Sequence, residues 1–366
     1  MAGMHVLVVN AGSSSLKLSV IDENDQTLAE TELPGAPDRG AHDEALLGFI
    51  AAQRDLRAVG HRIVHGGAAL RAPVVVDEAI RAQLEITAQL APLHDPPALA
   101  VLDAVREHTR LPQVACFDTA FHATLPSAAT TYAIPTAWRE DFGIRRFGFH
   151  GLSCAWSLRR ASSLLEREPE SLQFVVAHLG AGASVTAIRE GRSADTSMGF
   201  TPLEGLVMAT RSGTVDPGAL LYVQTRGGLT PAAMNDALER ESGTLGLGGS
   251  ADMREILDLA NAGSAQAVLA RDVYVHRARA LLCAVAASLD RLDAVVFTGG
   301  VGENATEIRH RICAGLSVLG VVAPDARPAH GGDAVISAPT SPVAILVVRA
   351  REDLEISREV RELLDS

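Results

Sequence analysis

The chain has 366 residues, 47% of them apolar and 21% charged, the balance of a globular protein with enough length for two full cores. A formal net charge of −12 argues against nucleic acid or an anionic membrane as partner, since either would need a basic face, and leaves any anionic substrate to a few local arginines. No apolar run approaches the roughly 20 residues of a membrane-spanning helix, and the four cysteines (Cys116, Cys154, Cys283, Cys313) show neither CxxC spacing nor a short disulfide framework. The sequence enters a strand at His5 with no room before it for a basic region, apolar core and cleavage site, so a reducing cytoplasm is the expected location.

Residues 6–9 are all apolar and read as a short buried strand. Asn10, Gly12, Ser13, Ser14 and Ser15 then form a turn without bulky side chains, Lys17 follows, and the alternation of Leu16, Leu18 and Val20 predicts a second strand. The hairpin tip offers backbone N–H groups, hydroxyls, an amide and an ammonium, which suit a phosphate or a hydrated magnesium ion. Asn, Gly and Ser are also ordinary turn formers, and this stretch alone leaves both readings open.

Further along, residues 43–56 fit a short helix, and 58–64 a strand ending in HRIVHGG. Asp77 opens a helical pattern to about Leu90. In HDPP, Asp95 reads as an N-cap with Pro96 at the first helical position, and Leu99, Leu102 and Val105 give that helix its apolar face. Residues 114–117 form a strand that delivers Asp118. From Phe174, FVVAHLGAGASVTAI repeats the opening design, with His178 standing where Asn10 stood and Gly180 where Gly12 stood, which suggests an internal duplication. A strand at 294–297 ends in TGGVGEN and passes into a helix near Glu303; a strand at 343–348 ends near Glu352, and a last helix carries Ile356, Val360, Leu363 and Leu364 on one face. This alternation predicts an α/β protein with helices packed on sheets.

Neither GxxxxGK[ST] nor a GxGxxG ahead of a helix is present. What stands out instead is a set of polar residues at strand ends, where α/β proteins place their sites: Arg62 in HRIVHGG, Asp118 in CFDTAFH, His150 in RRFGFHG, His178 in AHLGAG and Arg211 in ATRSGTVDP. Phosphoryl transfer needs cations and donors around the transferred oxygens, a metal on the donor phosphates and an acceptor held in line, and this set supplies such groups. Singly, each has a plainer explanation: a core histidine, a solvated arginine, a turn-capping aspartate. Against that, every one of them lies in a Gly- or Pro-marked junction after an apolar strand.

NAGSSSLK, HRIVHGG, PLHDPP, FDTAFH, RRFGFHG, GFTPLEG, TRSGTVDP and GGVGEN, in that order, closely resemble the acetate kinase family over essentially the whole chain. The resemblance implies two duplicated ribonuclease H-like α/β domains of the sugar kinase, Hsp70 and actin superfamily, with ATP in the interdomain cleft. The domains would be 1–120 with 353–366, and 121–352. It also implies a homodimer, Mg²⁺ (Mn²⁺ possible), and reversible in-line transfer of the ATP γ-phosphoryl group to acetate.

Position by position, Asn10 resembles the family's metal-side asparagine, with Glu352 as the partner carboxylate. Arg62 and Arg211 resemble the clamp on the acetate carboxylate and the phosphoryl group, His150 and His178 its donors, and Asp118 the essential aspartate that positions the acceptor and Arg or organises the metal. Val64, Leu93, Phe149 and Pro202 match the pocket for the acyl methyl. Lys17, His178, Gly180, Gly182, Asp252, Met253, Arg254, Gly300, Val301, Gly302, Glu303 and Asn304 match the nucleotide side, where a helix opening near Glu303 could add its dipole.

The chain departs from the family pattern at Ala181, where an asparagine is usual, at Leu152-Ser153-Cys154, where Thr-Ser-His is usual, and at Met253, Thr214 and Arg349-Ala350-Arg351; the stretch between Thr31 and Leu56 is shorter than usual. Weaker nucleotide affinity or another phosphoryl donor would follow. The alternatives are a propionate kinase, a non-catalytic nucleotide or acyl-phosphate sensor, and a pyrophosphate-dependent relative, the last disfavoured by the room that Gly300 leaves for adenosine.

Overall fold

The computed structural model describes residues 4–12, 15–35, 43–92, 94–324 and 332–365, which divide into two units. The first takes in the chain up to Ala123, Phe149–Trp156 and the C-terminal segment from Arg351; the second takes in Thr124–Gly148 and Ser157–Ala350.

Among the described residues the first unit has six strands: β1 (His5–Ala11), β2 (Ser15–Ile21), β3 (Thr27–Pro34), β4 (Leu56–Ile63), β5 (Val74–Val75) and β6 (Gln113–Phe117). They lie in the order β3-β2-β1-β4-β6-β5. β1, β2 and β3 form an antiparallel meander, β4 and β6 add parallel to β1, and β5 returns antiparallel along β6. Helices cover both faces, which is why β1 and β6 read as unbroken apolar runs rather than alternations. Leu7, Val9 and Phe117 pack with Leu99, Leu102 and Val105 of helix Asp95–His108 on one face. Val6, Val8 and Cys116 pack with Leu354, Ile356 and Val360 of helix Glu352–Asp365 on the other. That last helix lies so close that a Cβ on Gly60 would come within 2.6 Å of Ile356 Cγ2. Its tight seating fixes Glu352 in its first turn, where a carboxylate also favours the N-terminal dipole.

The second unit repeats this design with β7 (Gln173–Leu179), β8 (Ala183–Arg189), β9 (Arg192–Thr196), β10 (Ala294–Thr298), β11 (Ala334–Val335) and β12 (Ala344–Val347), in the order β11-β12-β10-β7-β8-β9. β7, β8 and β9 are the meander, β10 and β12 the parallel additions, and β11 the antiparallel edge. The duplication expected from the glycine-turned hairpins is therefore present strand for strand. Helix Ala265–Ala286 buries Ala267, Ala270, Tyr274, Ala278 and Leu282 along one side, mostly small residues that allow a close approach.

Two sequence expectations need correction. Asp95 does not cap its helix: the cap position is His94, and the Asp95 side chain instead turns onto the backbone of Val64 and His65. The helix after β10 begins at Gly299, directly at the strand end, and stops at Asn304; a second one runs Thr306–Ala314. Among the described residues no helix is long and apolar enough to cross a membrane.

Candidate active site

The first unit gathers most of its candidate residues at the carboxyl ends of β1, β4 and β6. Parallel pairing of β1 with β4 and of β4 with β6 sets Asn10, Arg62 and Asp118 side by side. The Arg62 guanidinium forks onto Asp118, with Nη2 2.6 Å from Oδ2 and Nε 3.3 Å from Oδ1, while Nη1 donates to Asn10 Oδ1 at 3.1 Å. The Arg62 and Asp118 side chains are only 16% and 2% exposed, so this is a buried ion pair. Burial is the largest influence on Arg62 and disfavours its charge. The Asp118 carboxylate, and then Glu352, outweigh it and hold the guanidinium charged, with its pKa above the ordinary value. Burial also pushes the Asp118 carboxyl above its usual range, with Arg62 pulling it down. Such a pair adds little net stability, because desolvating both charges costs about what their attraction returns. What it does provide is a fixed cation.

His150 stands in the left-handed region at φ 59°, an uncommon place for a side chain other than glycine. The cause is local: Gly151 N donates to Asp118 O at 2.8 Å, and a Cβ on Gly151 would lie 2.3 Å from that oxygen. Only glycine fits there, and the close approach ties the His150 turn to Asp118. Val64 and Phe149 are buried, and Phe149 meets the His65 ring edge-on at 5.3 Å. Lys17 lies opposite Asn10 in the β1–β2 register, is exposed, and pairs with Glu32 on β3 at 3.7 Å. Leu93, Ser13 and Ser14 fall outside the described residues.

In the second unit, His178 lies on β7 beside Thr298 of β10 and is 8% exposed. The turn after it closes with Gly180 N donating to Gly182 O at 2.9 Å. Ala181 O accepts from Ala209 N at 3.1 Å, so this turn is tethered to the loop that carries Arg211 by a bond no side chain is needed for. Arg211 Nη1 donates to Pro202 O at 3.0 Å and Nε faces Glu239 Oε2 at 3.3 Å. Burial lowers the Arg211 pKa from its usual value, with Glu239 opposing.

Gly299 follows β10 at φ 77°, and a Cβ there would press to 2.9 Å on the Leu179 carbonyl; a Cβ on Gly300 would meet nothing within 4 Å among the described residues. Val301 and Gly302 continue this short helix, Asn304 Nδ2 donates back to Gly300 O at 2.8 Å, and Glu303 Oε1 accepts from Ala350 N at 2.9 Å. Asp252 caps helix Met253–Asn261 by accepting from Arg254 N at 2.9 Å, and its carboxylate also pairs with the exposed Arg254 side chain. Met253 is 6% exposed and joins the core rather than offering a face.

Sequence reasoning missed Glu239, which sits in PAAMNDALER without any motif, and the true role of Asp95, which its place in HDPP disguised as a cap. Among the described residues no cluster of three or more His, Cys, Asp or Glu could hold a metal by itself. The Asn10 amide oxygen, which also accepts from Arg62 Nη1, and the Glu352 carboxylate are hard oxygen donors of the kind that a divalent cation takes alongside waters and substrate phosphates.

The family model described as the acetokinase family matches residues 43–358. An acetate kinase of Leifsonia xyli subsp. xyli is 43% identical over 386 residues, covering 97% of both chains. Among solved structures, Porphyromonas gingivalis acetate kinase superposes with a TM-score of 0.90 at 33% identity, covering 99% of this chain and 100% of that one. A propionate kinase from Francisella tularensis subsp. tularensis superposes with a TM-score of 0.90 at 34% identity, covering 97% and 98%. The fold is thus the duplicated actin-like type of these kinases.

Proposed function

The chain belongs to the acetokinase family, and we propose that it reversibly transfers the γ-phosphoryl group of ATP to acetate, giving acetyl phosphate and ADP. The observation that carries this reading is the buried, charged Arg62, oriented by Asp118 and Asn10 at the ends of parallel strands. Those contacts do not use all of its N–H bonds, and the rest are available to an anionic oxygen. Acetate arrives already ionised at neutral pH, since such acids have pKa values of about 4 to 5, so the protein need not supply a base. Its task is to hold positive charge and donors where phosphoryl charge builds up. Asp118 orients Arg62, and His150 serves as a donor on the acceptor side.

The second unit supplies the nucleotide side. His178 and Arg211 are its donor and cation, the Gly180–Gly182 turn offers backbone that can approach phosphates, and the open space beside Gly300 leaves room for the nucleoside. Asn10 and Glu352 would hold Mg²⁺, which when bound neutralises charge on the donor phosphates. Val64 and Phe149 give the acetate methyl an apolar wall. The reading includes a homodimer, supported by Leu221, Tyr222 and Val223 lying exposed on helix Pro217–Gly227. It includes a cytoplasmic location, supported by four cysteines that form no disulfide among the described residues.

Propionate is the second reading, favoured by the likeness to the Francisella enzyme; one methylene in an apolar pocket separates two substrates by only about 1–3 kcal/mol. Coupled turnover with Mg-ATP across formate, acetate, propionate and butyrate tests the assignment. Acetate should lead by about tenfold in kcat/KM. Propionate in the lead would rename the enzyme, and no turnover with ATP or pyrophosphate would replace catalysis with a sensor role.

A further inference from the structure

We propose that Asp95 is a positioning residue for the acyl acceptor: its buried carboxyl holds in place both Val64 and Phe149, the side chains set against the acetate methyl. The proposal rests on the function proposed above for its substrate, but not for its geometry. β4 ends at Ile63, and the last ladder bond of the strand runs from Asp118 N to Ile63 O. The next peptide N–H groups leave the sheet and need new acceptors, since a buried unpaired N–H is costly. Asp95, brought alongside by helix Asp95–His108, meets them: its Oδ1 accepts from Val64 N at 3.0 Å and from His65 N at 3.3 Å. Val64 is therefore held directly.

Phe149 is held through His65. The His65 backbone is fixed by Asp95, its Nδ1 accepts from Gly67 N at 2.8 Å, and its ring lies edge-on to Phe149 at 78°. From the other side, His122 Nε2 donates to Phe149 O at 2.9 Å. One carboxyl oxygen thus fixes one wall of the acyl site and braces the other.

The second oxygen explains how such a group is tolerated. Asp95 is 1% exposed and its Oδ2 is buried with no hydrogen-bond partner among the described residues, so an anion there would be unsolvated on one side. Burial pushes the carboxyl up to about 8, with the nearby Asp118 charge adding to the effect and the Val64 and His65 N–H groups and Arg62 opposing it. A neutral carboxyl keeps its carbonyl-type acceptor for the two N–H groups, and a neutral amide of the same shape would do as well. The position thus asks for an acceptor of this reach, not for a charge.

The test compares Asp95→Ala and Asp95→Asn with the wild type, reading acetate and propionate kinetics, ATP KM and amide hydrogen exchange. Asp95→Ala should raise acetate KM by about tenfold, narrow the acetate-to-propionate ratio, and leave ATP KM and kcat within about threefold. Asp95→Asn should restore all of these. Exchange at the Val64 and His65 amides should rise in Asp95→Ala alone. Should the alanine variant not fold, Asp95→Ser, whose hydroxyl is too short to serve both N–H groups, takes its place. Unchanged acetate KM, loss of kcat and ATP KM together, or an asparagine variant as impaired as alanine would overturn the proposal. Unchanged amide exchange would overturn it too, even if the wild type turned over no carboxylate and the proposed function itself had failed.

Discussion

The two units share one strand order and use it for different chemistry. At the ends of β1, β4 and β6 the first unit places charged and amide side chains, Asn10, Arg62 and Asp118, bonded to one another. At the ends of β7 and β10 the second places one histidine and a run of glycines, of which Gly299 and Gly302 are buried while Gly180, Gly182 and Gly300 leave backbone accessible. A duplicated scaffold thus provides the same strand-end location twice, once as a side-chain site and once as a backbone site. The first should fail when charge is removed, the second when side chains are added.

The largest effect is expected at Arg62. Arg62→Ala should lower kcat by about a thousandfold or more, the scale of a transition-state arginine, with a melting curve confirming that the protein still folds. Gly151→Ala comes next, because its Cβ would enter the space of the Asp118 carbonyl, 2.3 Å away. It should move both His150 and Asp118 and cut kcat by about a hundredfold, the cost of a small misplacement at a reacting centre. His178→Ala removes one donor among several and should cost about tenfold to a hundredfold in kcat. Gly300→Leu fills open space without backbone strain, so it should raise ATP KM by about tenfold at nearly constant kcat, the pattern of lost ground-state binding. Equal damage from Gly300→Leu and a charge deletion in the first unit would erase the distinction between the two sites.

The smallest effect is on stability. The Asp95 pKa rises on folding from 3.8 to about 8, so the folded chain keeps a proton that the unfolded chain releases. Its contribution is therefore complete below about pH 4 and is lost as pH rises through 8, an effect of several kcal/mol. Asp95→Asn does not titrate. Its melting temperature relative to the wild type should climb between pH 5 and 8 by several degrees, roughly what such an energy gives in a domain of this size; a constant difference would show that the carboxyl is ionised when folded.

Much of this was legible along the chain, because strands followed by glycine turns are local patterns. The runs at 6–9, 114–117, 174–179 and 294–297 lie in strands, and Arg62, Asp118 and His178 lie at the strand ends that their junctions indicated. What the sequence hid depends on partners far away. Asp95 sits before two prolines like any cap, while its hydrogen bonds go to residues 30 and 31 positions earlier. Glu239 meets Arg211 from an ordinary helix. Phe149–Trp156 belong with the first unit although they lie far from its strands in sequence, in part because Gly151 reaches the Asp118 carbonyl. Periodicity reports which face of an element is buried, and it carries no information about which element covers it.

The central claim is that Asp118 acts by holding Arg62. A double-mutant cycle on kcat with acetate and Mg-ATP, using Arg62→Ala, Asp118→Asn and the pair together, tests it most directly. If the account is right, Asp118→Asn alone is strongly impaired, and adding it to Arg62→Ala changes kcat by no more than about threefold, because the residue it orients is already gone. If the two losses multiply, Asp118 has work of its own at the reacting atoms and the account of the first unit is wrong.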